Sequence, residues 1–589
     1  MKHLLSQRRL PPRILSIAIS AGLLFLLLIW SAMADKSETW DEGLFISGGI
    51  LQATHFNTNF DLTHPPLLRW IAGLGPVLIA NAVAPDKPPF VQIEPIDLYQ
   101  YKVAECFTYA KRTFYDTKND HDAVLFWGRL PFAFFAIGLS YLIFSQLQKQ
   151  FGHTSALLSA ITFLFVPEVL AHSQWAHSDL ASAFTVFLLS IVLARTLENP
   201  SVRNDIMVGV VLGIAITTKF TALLLIPFVL FLFVCYSPPT ETYTRFSKFF
   251  NRLSIVCICS YAVVLIAYYP EANIFYPHYV LPKDVAQIFS LSVNDKLTIF
   301  FSTLLQYIPL PDSFVKGVVY THLLGKRGLP TFLYGEIRFS GWHYFFPLAV
   351  FLKYPPPFLI AALLALRSVW RTQTWPRTRK LCFVGPPTLM FIFATMQGVN
   401  IGVRNVLFIA PFMALWIGIL LDSVIKPIQR KAIYLLCVLS ITSGIAAYPN
   451  FLTYFNPLVG GTDNAHEWLV DSNVDWGQDL PLLAKTLDQR NIDNIRLAYF
   501  GVADPTHWGI YSEDPTEIEP GWYAISRTLL TGLYSGDSYL WLNDLEAEEF
   551  VGGSIALIQV TEDQAKNAQL ARQAKIVRLF NVNKKQSSN

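Results

Sequence analysis

Seven ionisable residues stand at or near the ends of apolar runs in this 589-residue chain. In chain order they are Asp41, Glu42, His64, His177, Asp179, Lys219 and Arg404. Carboxylates and imidazoles can accept a proton from a reacting hydroxyl. An arginine can bind a phosphate through two parallel hydrogen bonds, and a lysine can bind it as a point charge. The residue types therefore predict proton transfer beside a bound anion, if the fold brings these side chains together.

Each of these residues also has an ordinary structural explanation. Asp41 and Glu42 could stand in the first turn of an interfacial helix, where the helix dipole favours carboxylates. Asp179 could be the N-cap of an apolar helix. Lys219 and Arg404 could extend their charged ends to lipid headgroups. The positions of the residues relative to a membrane therefore decide between the two interpretations.

The composition indicates a membrane protein. Hydrophobic residues make up 53% of the chain and charged residues only 15%, compared with about 25% charged residues in an ordinary soluble domain. Apolar runs approaching the roughly 20 residues needed to cross a bilayer recur along the sequence. We predict an α-helical polytopic protein with about eleven transmembrane helices, near residues 14–33, 123–146, 154–171, 179–195, 205–217, 220–236, 253–269, 344–366, 381–396, 405–421 and 432–448.

Basic residues mark one side of these predicted spans. If the N-terminus is cytoplasmic, every short inner connection carries Lys or Arg, which is the positive-inside pattern of multi-span proteins. The residues concerned are Lys149, Arg195, Arg203, Arg245, Lys248, Arg252, Arg367, Arg371, Arg377, Arg379, Lys380, Lys426, Arg430 and Lys431. The odd number of spans then places the C-terminus on the outer side.

Long polar regions are predicted on the outer side. Residues 34–122 and 270–343 form two outer segments, with amphipathic stretches suited to the membrane surface. From residue 449 the apolar spans stop and a soluble composition begins. We therefore predict a transmembrane domain over residues 1–448 and a small extracytoplasmic α/β domain over residues 449–589. Within the tail we expect a helix over 480–490 and short buried strands over 495–501, 521–526 and 554–560.

With this topology, all seven ionisable residues fall on the outer face. Ionisable groups at membrane depth are costly and are usually retained for a function. Their gathering on one side predicts that this side carries the active site.

Several other features restrict the class of function. The formal net charge is +3 and no nucleic-acid-binding pattern is visible. The six cysteines lie mostly in or beside apolar runs, so the sequence predicts neither a disulfide framework nor a cysteine metal site. The first apolar run also fits a cleavable secretion signal, which is the alternative to a permanent anchor.

Two motifs near the N-terminus resemble a known family. Trp40-Asp41-Glu42, followed by His64-Pro65-Pro66-Leu67, resembles the first outer loop of the protein O-mannosyltransferases. The lipid A aminoarabinose transferases share this layout, and both groups are family 39 glycosyltransferases of the GT-C fold. The chain is still more similar to bacterial phospholipid carrier-dependent glycosyltransferases, through residues 217–221, 400–404, 454–461, 469–479, 499–501 and 521–526.

The resemblance implies a GT-C-like enzyme of the bacterial inner (plasma) membrane. Such an enzyme moves a hexosyl or pentosyl group from a polyprenyl-phosphate donor to an acceptor hydroxyl on the outer face, usually with inversion. The acceptor would be a protein, a lipid or a glycan, and membrane lipids would surround the spans. Direct displacement needs one base for the acceptor proton and cations for the departing phosphate.

The resemblance also implies roles for the seven residues. Asp41 would be the base, and Glu42 would shape the site or hold the acceptor. Lys219 and Arg404 would bind the donor phosphate. His64 would contact the phosphate or the acceptor, although it could simply begin a helix at the prolines that follow it. The supporting residues would be His177 and Asp179, the latter orienting Lys219 or a catalytic side chain.

Metal binding is an open alternative in the sequence. Thr63 stands where the aminoarabinose transferases have an acid, and Asn405 where relatives often have His, so a metal role does not carry over from them. Three aspartates between residues 471 and 479 suggest a metal loop, but their spacing does not match the calcium loop. We interpret that segment as a polar turn that closes over the acceptor entrance. No cofactor is specified, and a divalent metal is not excluded.

Three other functions compete with transfer from a polyprenyl phosphate. A flippase of lipid-linked sugars would carry its polar residues at mid-membrane and tends to show internal repeats, whereas these residues gather at one face. A ligase that moves whole glycans from a pyrophosphate carrier is the second alternative, and a binding-only sensor whose tail recognises glycans is the third.

Overall fold

The computed structural model describes residues 11–56, 58, 60–79, 103–115, 119–236, 242–269, 309–424 and 426–586. Parts of the two predicted outer segments, residues 80–102, 116–118 and 270–308, lie outside the described residues. The N-terminal half contains the helices Pro12–Met33, Trp40–His55, Leu67–Leu74, Val103–Tyr115, His121–Phe151, His153–Leu164, Pro167–His172, Ser178–Glu198, Val202–Thr218, Leu225–Cys235 and Thr242–Ala267. The following helices are Asp312–Arg327, Phe345–Lys353, Pro356–Arg371, Arg377–Thr395, Ala410–Ser423 and Pro427–Ala446.

The predicted helical membrane architecture is confirmed. Within the described ranges, six helices are long and apolar enough to cross a membrane: Pro12–Met33, His121–Phe151, Ser178–Glu198, Ser247–Ala267, Val403–Ser423 and Pro427–Ala446. Each of them coincides with a predicted span.

The remaining predicted spans are also helical, but they are shorter or interrupted. The span predicted over 154–171 is divided between His153–Leu164 and Pro167–His172, and that over 344–366 between Phe345–Lys353 and Pro356–Arg371. In both cases a proline starts the second helix, because proline lacks the amide hydrogen that would continue the first. Each of these two predicted spans is therefore built from a pair of helices.

Two apolar helices lie at the centre of the bundle. Most of Ser178–Glu198 and of Val403–Ser423 is buried inside the protein, whereas Pro12–Met33 and Pro427–Ala446 are mostly exposed. The segment Val403–Ser423 begins as a 3-10 helix, Val403–Ile409, that packs against Ser178–Glu198. Both central segments begin at the same end of the bundle.

Glycines bring the two short helices of the first outer segment into backbone contact. A Cβ atom on Gly73 would lie 2.0 Å from the carbonyl carbon of Gly49, and one on Gly49 would lie 2.2 Å from the carbonyl oxygen of Arg69. Only glycine permits this approach of Leu67–Leu74 to Trp40–His55. The contact holds the beginning of the first outer segment against the residues that follow His64.

The C-terminal region contains the predicted α/β structure. Strands β3 (Ile495–Ala498), β4 (Ser512–Glu513), β5 (Gly521–Ser526), β6 (Glu549–Val551) and β7 (Ile555–Val560) form a sheet of order β4-β3-β5-β7-β6. Strand β3 is parallel to β4 and β5, while β7 is antiparallel to β5 and β6. Helix Leu480–Arg490 has the predicted bounds, and the region ends in helix Glu562–Gln586. A separate hairpin, β1 (Thr331–Leu333) with β2 (Glu336–Arg338), belongs to the second outer segment.

The segment between the last membrane helix and this sheet packs back onto the bundle. The amide of Ser37 donates to the carbonyl of Gln478, and the amide of Trp40 donates to the carbonyl of Trp476. Lys36 pairs with Asp479, and both side chains are buried. Residues 471–479 are therefore fastened directly to the chain that leads into Asp41.

Candidate active site

Asp41 and Glu42 occupy the first turn of helix Trp40–His55, but their side chains have different surroundings. The Glu42 carboxylate is fully buried and accepts hydrogen bonds from Nε and Nη2 of Arg129, at 2.9 and 2.8 Å. The Ala176 amide donates to it at 2.9 Å and the Thr39 amide at 3.2 Å. Glu42 thus has no face open to an acceptor, and this geometry favours the shaping role that was one of its two predicted roles.

Asp41 is the exposed member of the pair. Its side chain is 23% exposed, and its Oδ2 atom lies 3.0 Å from Nη2 of Arg404 and 3.3 Å from Nε2 of His177. Both of these contacts are to Oδ2, and among the residues that the structure describes no hydrogen bond reaches the Oδ1 atom. Asp41 can therefore be held through one oxygen while the other accepts a proton.

Behind Asp41, buried side chains form a continuous polar chain. Nη1 of Arg404 lies 2.9 Å from Nε2 of His177. Nδ1 of His177 lies 2.7 Å from Oδ2 of Asp179, and Nζ of Lys219 lies 2.5 Å from Oδ1 of Asp179. We call these five residues the outer cluster. The structure thus brings together four residues predicted for different roles around Asp41.

His177 lies at the centre of this network. Its Nε2 atom faces Nη1 of Arg404 and Oδ2 of Asp41, and its Nδ1 atom faces Oδ2 of Asp179. The side chain is 3% exposed, and its ring also packs against Trp476 at 5.0 Å. The imidazole therefore connects Arg404 to Asp179 and is held in place by its buried surroundings.

Arg404 is bound by the tail as well as by the bundle. Its Nε donates to Oγ of Ser472 at 3.1 Å, and its guanidinium lies 4.2 Å from the ring of Trp476. All three of its nitrogen atoms therefore contact protein groups. This arrangement is better suited to fixing Asp41 than to gripping a phosphate with a free guanidinium fork.

The side chains of Lys219 and His64 are more exposed than that of Arg404. Lys219 follows helix Val202–Thr218 and is 17% exposed. His64 is 20% exposed, and its ring lies 5.6 Å from that of His177. Nδ1 of His64 is engaged by Oγ1 of Thr63 at 2.8 Å and lies 3.3 Å from Oδ2 of Asp61. This leaves Nε2 as the ring nitrogen of His64 that can meet a ligand.

The electrostatics keep Asp41 ionised. Burial by itself would raise its pKa, but the Arg404 guanidinium and His177 beside the carboxylate hold the pKa of Asp41 well below its usual range. Burial alone would likewise raise the pKa of Asp61, whereas hydrogen bonding and charge from His64 lower it to about 2. In contrast, burial raises the pKa of Asp475 in the tail to about 7.

In the outer cluster the two carboxylates, Asp41 and Asp179, are balanced by the two cations Arg404 and Lys219. Arg404 lies between Asp41 and Asp179, 3.0 Å from the first and 3.6 Å from the second, so it occupies the place between the carboxylates where a metal would stand. The tail aspartates do not converge either. Asp471 accepts from the Tyr534 hydroxyl, Asp475 from the Gly477 amide, and Asp479 from Lys36. The donor sets at both places fit hydrogen bonding better than metal ligation.

Several supporting residues were not predicted. Arg129 is 1% exposed within an apolar helix, and it also binds the carbonyls of Lys36 and Ser37 at 3.0 and 2.7 Å. A buried arginine in a predicted span was the signal that could have identified it. Asp61, Ser472 and Trp476 carried no such signal, because their roles depend on contacts between distant segments.

Residues 121–267 match the model of a family described as dolichyl-phosphate-mannose-protein mannosyltransferase. This match confirms the predicted resemblance to the protein O-mannosyltransferases and lends no support to a flippase or a ligase. It covers His177, Asp179 and Lys219 but neither Asp41 nor Arg404. Over these residues the chain is similar to that family, and the six apolar helices indicate an integral membrane protein. No curated protein matches the chain.

Solved structures show a weak overall similarity. ArnT from Cupriavidus metallidurans bound to undecaprenyl phosphate is 11% identical, with 92% of this chain and 98% of that chain covered and a TM-score of 0.41. The archaeal oligosaccharyltransferase AglB from Archaeoglobus fulgidus is 12% identical, with 93% and 74% covered and a TM-score of 0.45. The S. cerevisiae protein O-mannosyltransferase complex bound to the sugar donor is 15% identical, with 50% and 39% covered and a TM-score of 0.31. Similarity at this level does not transfer residue roles.

Proposed function

We propose that this chain is a glycosyltransferase that moves one sugar from a polyprenyl-phosphate donor to an acceptor hydroxyl, with inversion, on the outer face of the bacterial inner membrane. The observation that carries the proposal is the outer cluster. In this cluster the Asp41 carboxylate is partly exposed. Two cations belong to the same cluster, Arg404 beside Asp41 and Lys219 beside Asp179. The family match over residues 121–267 supports the class of reaction.

The proposed mechanism is a direct displacement. Oδ1 of Asp41 accepts the proton of the acceptor hydroxyl. As the proton leaves, the hydroxyl oxygen attacks the anomeric carbon of the donor sugar, and the bond between that carbon and the phosphate oxygen breaks. The phosphate departs with the bonding electrons. The second carboxylate of the cluster, Asp179, is 1% exposed and is paired with Lys219, so it does not offer a second open group. A single open carboxylate is suited to displacement in one step, and this supports inversion.

The phosphate is proposed to bind at Lys219 and Nε2 of His64. Both groups are more exposed than Arg404, and the ring of His64 also lies beside the imidazole of His177. Positive charge placed where the leaving phosphate develops its charge stabilises the transition state. Arg404 is proposed to act mainly on Asp41, by holding its Oδ2 atom and keeping the carboxylate ionised. Glu42 is proposed to position the loop through Arg129.

The position of the cluster in the bundle supports an outer site. Asp179 begins helix Ser178–Glu198, and Arg195 lies near the other end of that helix. Lys219 ends helix Val202–Thr218, and Arg203 lies at its start. The cluster and the basic inner connections are thus at opposite ends of the same helices. This supports a cytoplasmic N-terminus, by the positive-inside rule, and an extracytoplasmic domain over residues 449–589.

The proposal is tested with the purified chain in proteoliposomes and an isotopically labelled polyprenyl-phosphate sugar. Asp41→Asn should abolish transfer to acceptor while donor binding and the thermal midpoint persist. Asp488→Asn, at an exposed position on helix Leu480–Arg490, is the matched control and should transfer normally. Transfer by Asp41→Asn at the wild-type rate would exclude Asp41 as the base. Movement of donor across the vesicle without a new product would point to a flippase.

The phosphate site is tested separately. Lys219→Ala should weaken donor binding about tenfold, because a hydrogen bond to a charged group contributes roughly 1.5 kcal/mol or more. Lys485→Ala removes an exposed lysine from the tail and is the control. Unchanged donor affinity in Lys219→Ala would remove Lys219 from the phosphate site without affecting the assignment of Asp41.

A further inference from the structure

A second group of polar side chains lies where the first outer segment meets the C-terminal region. His121 and Asp122 begin helix His121–Phe151, and His507 lies in the 3-10 helix Pro505–Trp508. Their ligand-capable atoms all lie within 4.8 Å of one another, although nearly 400 residues of sequence separate the histidines. None of the three belongs to the outer cluster. We propose that His121, Asp122 and His507 bind a zinc ion that fastens this helix to the C-terminal region.

The two ring nitrogens of His121 have separate surroundings. Nδ1 lies 3.0 Å from Oδ1 of Asp122, while Nε2 lies 3.6 Å from Oε2 of Glu38. The Tyr115 hydroxyl donates to the other Glu38 oxygen at 2.5 Å. Oε2 of Glu38 and Nε2 of His121 are buried and make no hydrogen bond to a described residue. A metal-binding histidine characteristically turns its second nitrogen toward a carboxylate, and Glu38 is in that position.

The ligand set favours zinc over other common cations. Two imidazoles and one carboxylate are a set that Zn²⁺ accepts, with water in the fourth position. Calcium and magnesium prefer oxygen ligands throughout. Ligand atoms around Zn²⁺ stand about 3.3 Å apart, given bonds of about 2.0–2.2 Å in a tetrahedron. Asp122 is 96% exposed, so its carboxylate is free to move toward the two imidazoles.

Aromatic rings hold the two imidazoles in place. The centroids of His121 and His507 are 4.4 Å apart, and Tyr115 packs on both rings at 5.3 and 5.2 Å. Trp508 lies 5.7 Å from His121 and 4.9 Å from His507. This packing restricts rotation of the imidazoles before an ion binds, which lowers the entropy lost on binding.

The test uses the full chain in detergent, purified through a tag without histidine and treated with a chelator. Equilibrium dialysis against Zn²⁺ and titration with Co²⁺ should show one equivalent bound, with the visible absorption of tetrahedral cobalt. His507→Gln, at an exposed position, should bind this equivalent at least tenfold more weakly, and Asp122→Asn should weaken it as well. His343→Gln, an exposed histidine elsewhere, and Asp41→Asn, in the outer cluster, should bind as wild type does.

The thermal midpoint of unfolding tests whether the zinc ion stabilises the fold. Zn²⁺ should raise the thermal midpoint of the wild-type chain, because an ion that binds only the folded state stabilises it, and this rise should be absent in His507→Gln. Equal zinc binding by His507→Gln and wild type would overturn the proposal, and so would a wild-type chain that binds no zinc. Because Asp41→Asn serves as a control, the outcome does not depend on whether the outer cluster transfers sugar.

Discussion

At the scale of single residues, the adjacent carboxylates of Asp41 and Glu42 have different surroundings. Asp41 has an open oxygen and a cation beside the other, whereas every contact of Glu42 is internal. A carboxylate that stays ionised can act as a base over a broad pH range. A carboxylate that is fully paired can only hold its partner.

The first prediction concerns the pH dependence of Asp41. Arg404 lowers the pKa of Asp41, so removing its charge should raise that pKa. A base becomes inactive when it is protonated. As the pH is lowered, the activity of Arg404→Gln should therefore begin to fall at a higher pH than the activity of the wild type. The measurement is the pH profile of kcat/KM, each profile normalised to its own plateau. Arg338→Gln, which removes an exposed arginine, should leave the profile unchanged, and coincident profiles for Arg404→Gln and wild type would contradict the prediction.

The second prediction concerns Glu42. Breaking a buried ion pair by removing one partner costs about 3–5 kcal/mol, and Glu42 and Arg129 are 0% and 1% exposed. Glu42→Gln should therefore lower the free energy of unfolding by about 3 kcal/mol, with a lower thermal midpoint in detergent. Glu336→Gln breaks an exposed pair with Arg338 and should have little effect. If Glu42→Gln instead kept its midpoint and lost transfer, Glu42 would act on substrate.

At the scale of elements, the site depends on where helices begin and end. Asp179 and Arg404 begin the two central segments, and Lys219 follows the end of a third helix. Asp41 begins Trp40–His55, and His64 precedes Leu67–Leu74. Side chains at helix ends can converge on one point while the helices themselves remain packed in the bundle.

The third prediction tests the contact between the two short helices. Gly73→Ala would place a methyl group 2.0 Å from Gly49, so the helices must separate. Overpacking commonly costs about 1–3 kcal/mol, and the separation should also move His64 relative to Asp41. Both the thermal midpoint and the transfer rate should fall. Gly22→Ala, at a helix position with open space around it, is the matched control and should change neither; wild-type transfer by Gly73→Ala would show that this contact does not set the site.

At the scale of the whole molecule, the tail is part of the site. Ser472 and Trp476 contact Arg404, and Asp479 joins Lys36 to Ser554 at the start of β7. The C-terminal sheet is thus connected to the residues just before Asp41. This connection makes the stability of the tail and the geometry of the outer cluster interdependent.

The fourth prediction compares two ion pairs that link the same parts of the chain. Lys36 and Asp479 are buried, whereas Asp35 and Lys485 are 48% and 57% exposed. Asp479→Asn should destabilise the protein by about 3 kcal/mol, because it leaves a buried ammonium without its carboxylate. Limited proteolysis should then cut residues 449–560 faster than in the wild type. Asp35→Asn should have almost no effect, and equal protease resistance in the two variants would contradict the proposed link.

Local patterns in the amino-acid sequence were enough to predict the helical membrane architecture, three of the five strands in the tail sheet and all five residues that meet in the outer cluster. Apolar length, basic inner connections and ionisable residues at span ends are local patterns, and local patterns are readable without contacts. The resemblance based on residues 40–42 and 64–67 added the class of reaction.

How these residues meet follows from the folded chain alone. That Arg404 faces Asp41, that Glu42 faces Arg129, and that Ser472 and Trp476 enclose Arg404 are contacts between segments far apart in the chain. The same holds for His121 and His507. The direction of a side chain depends on the packing of its whole element against others, and the spacing of residues along one segment carries no information about that packing.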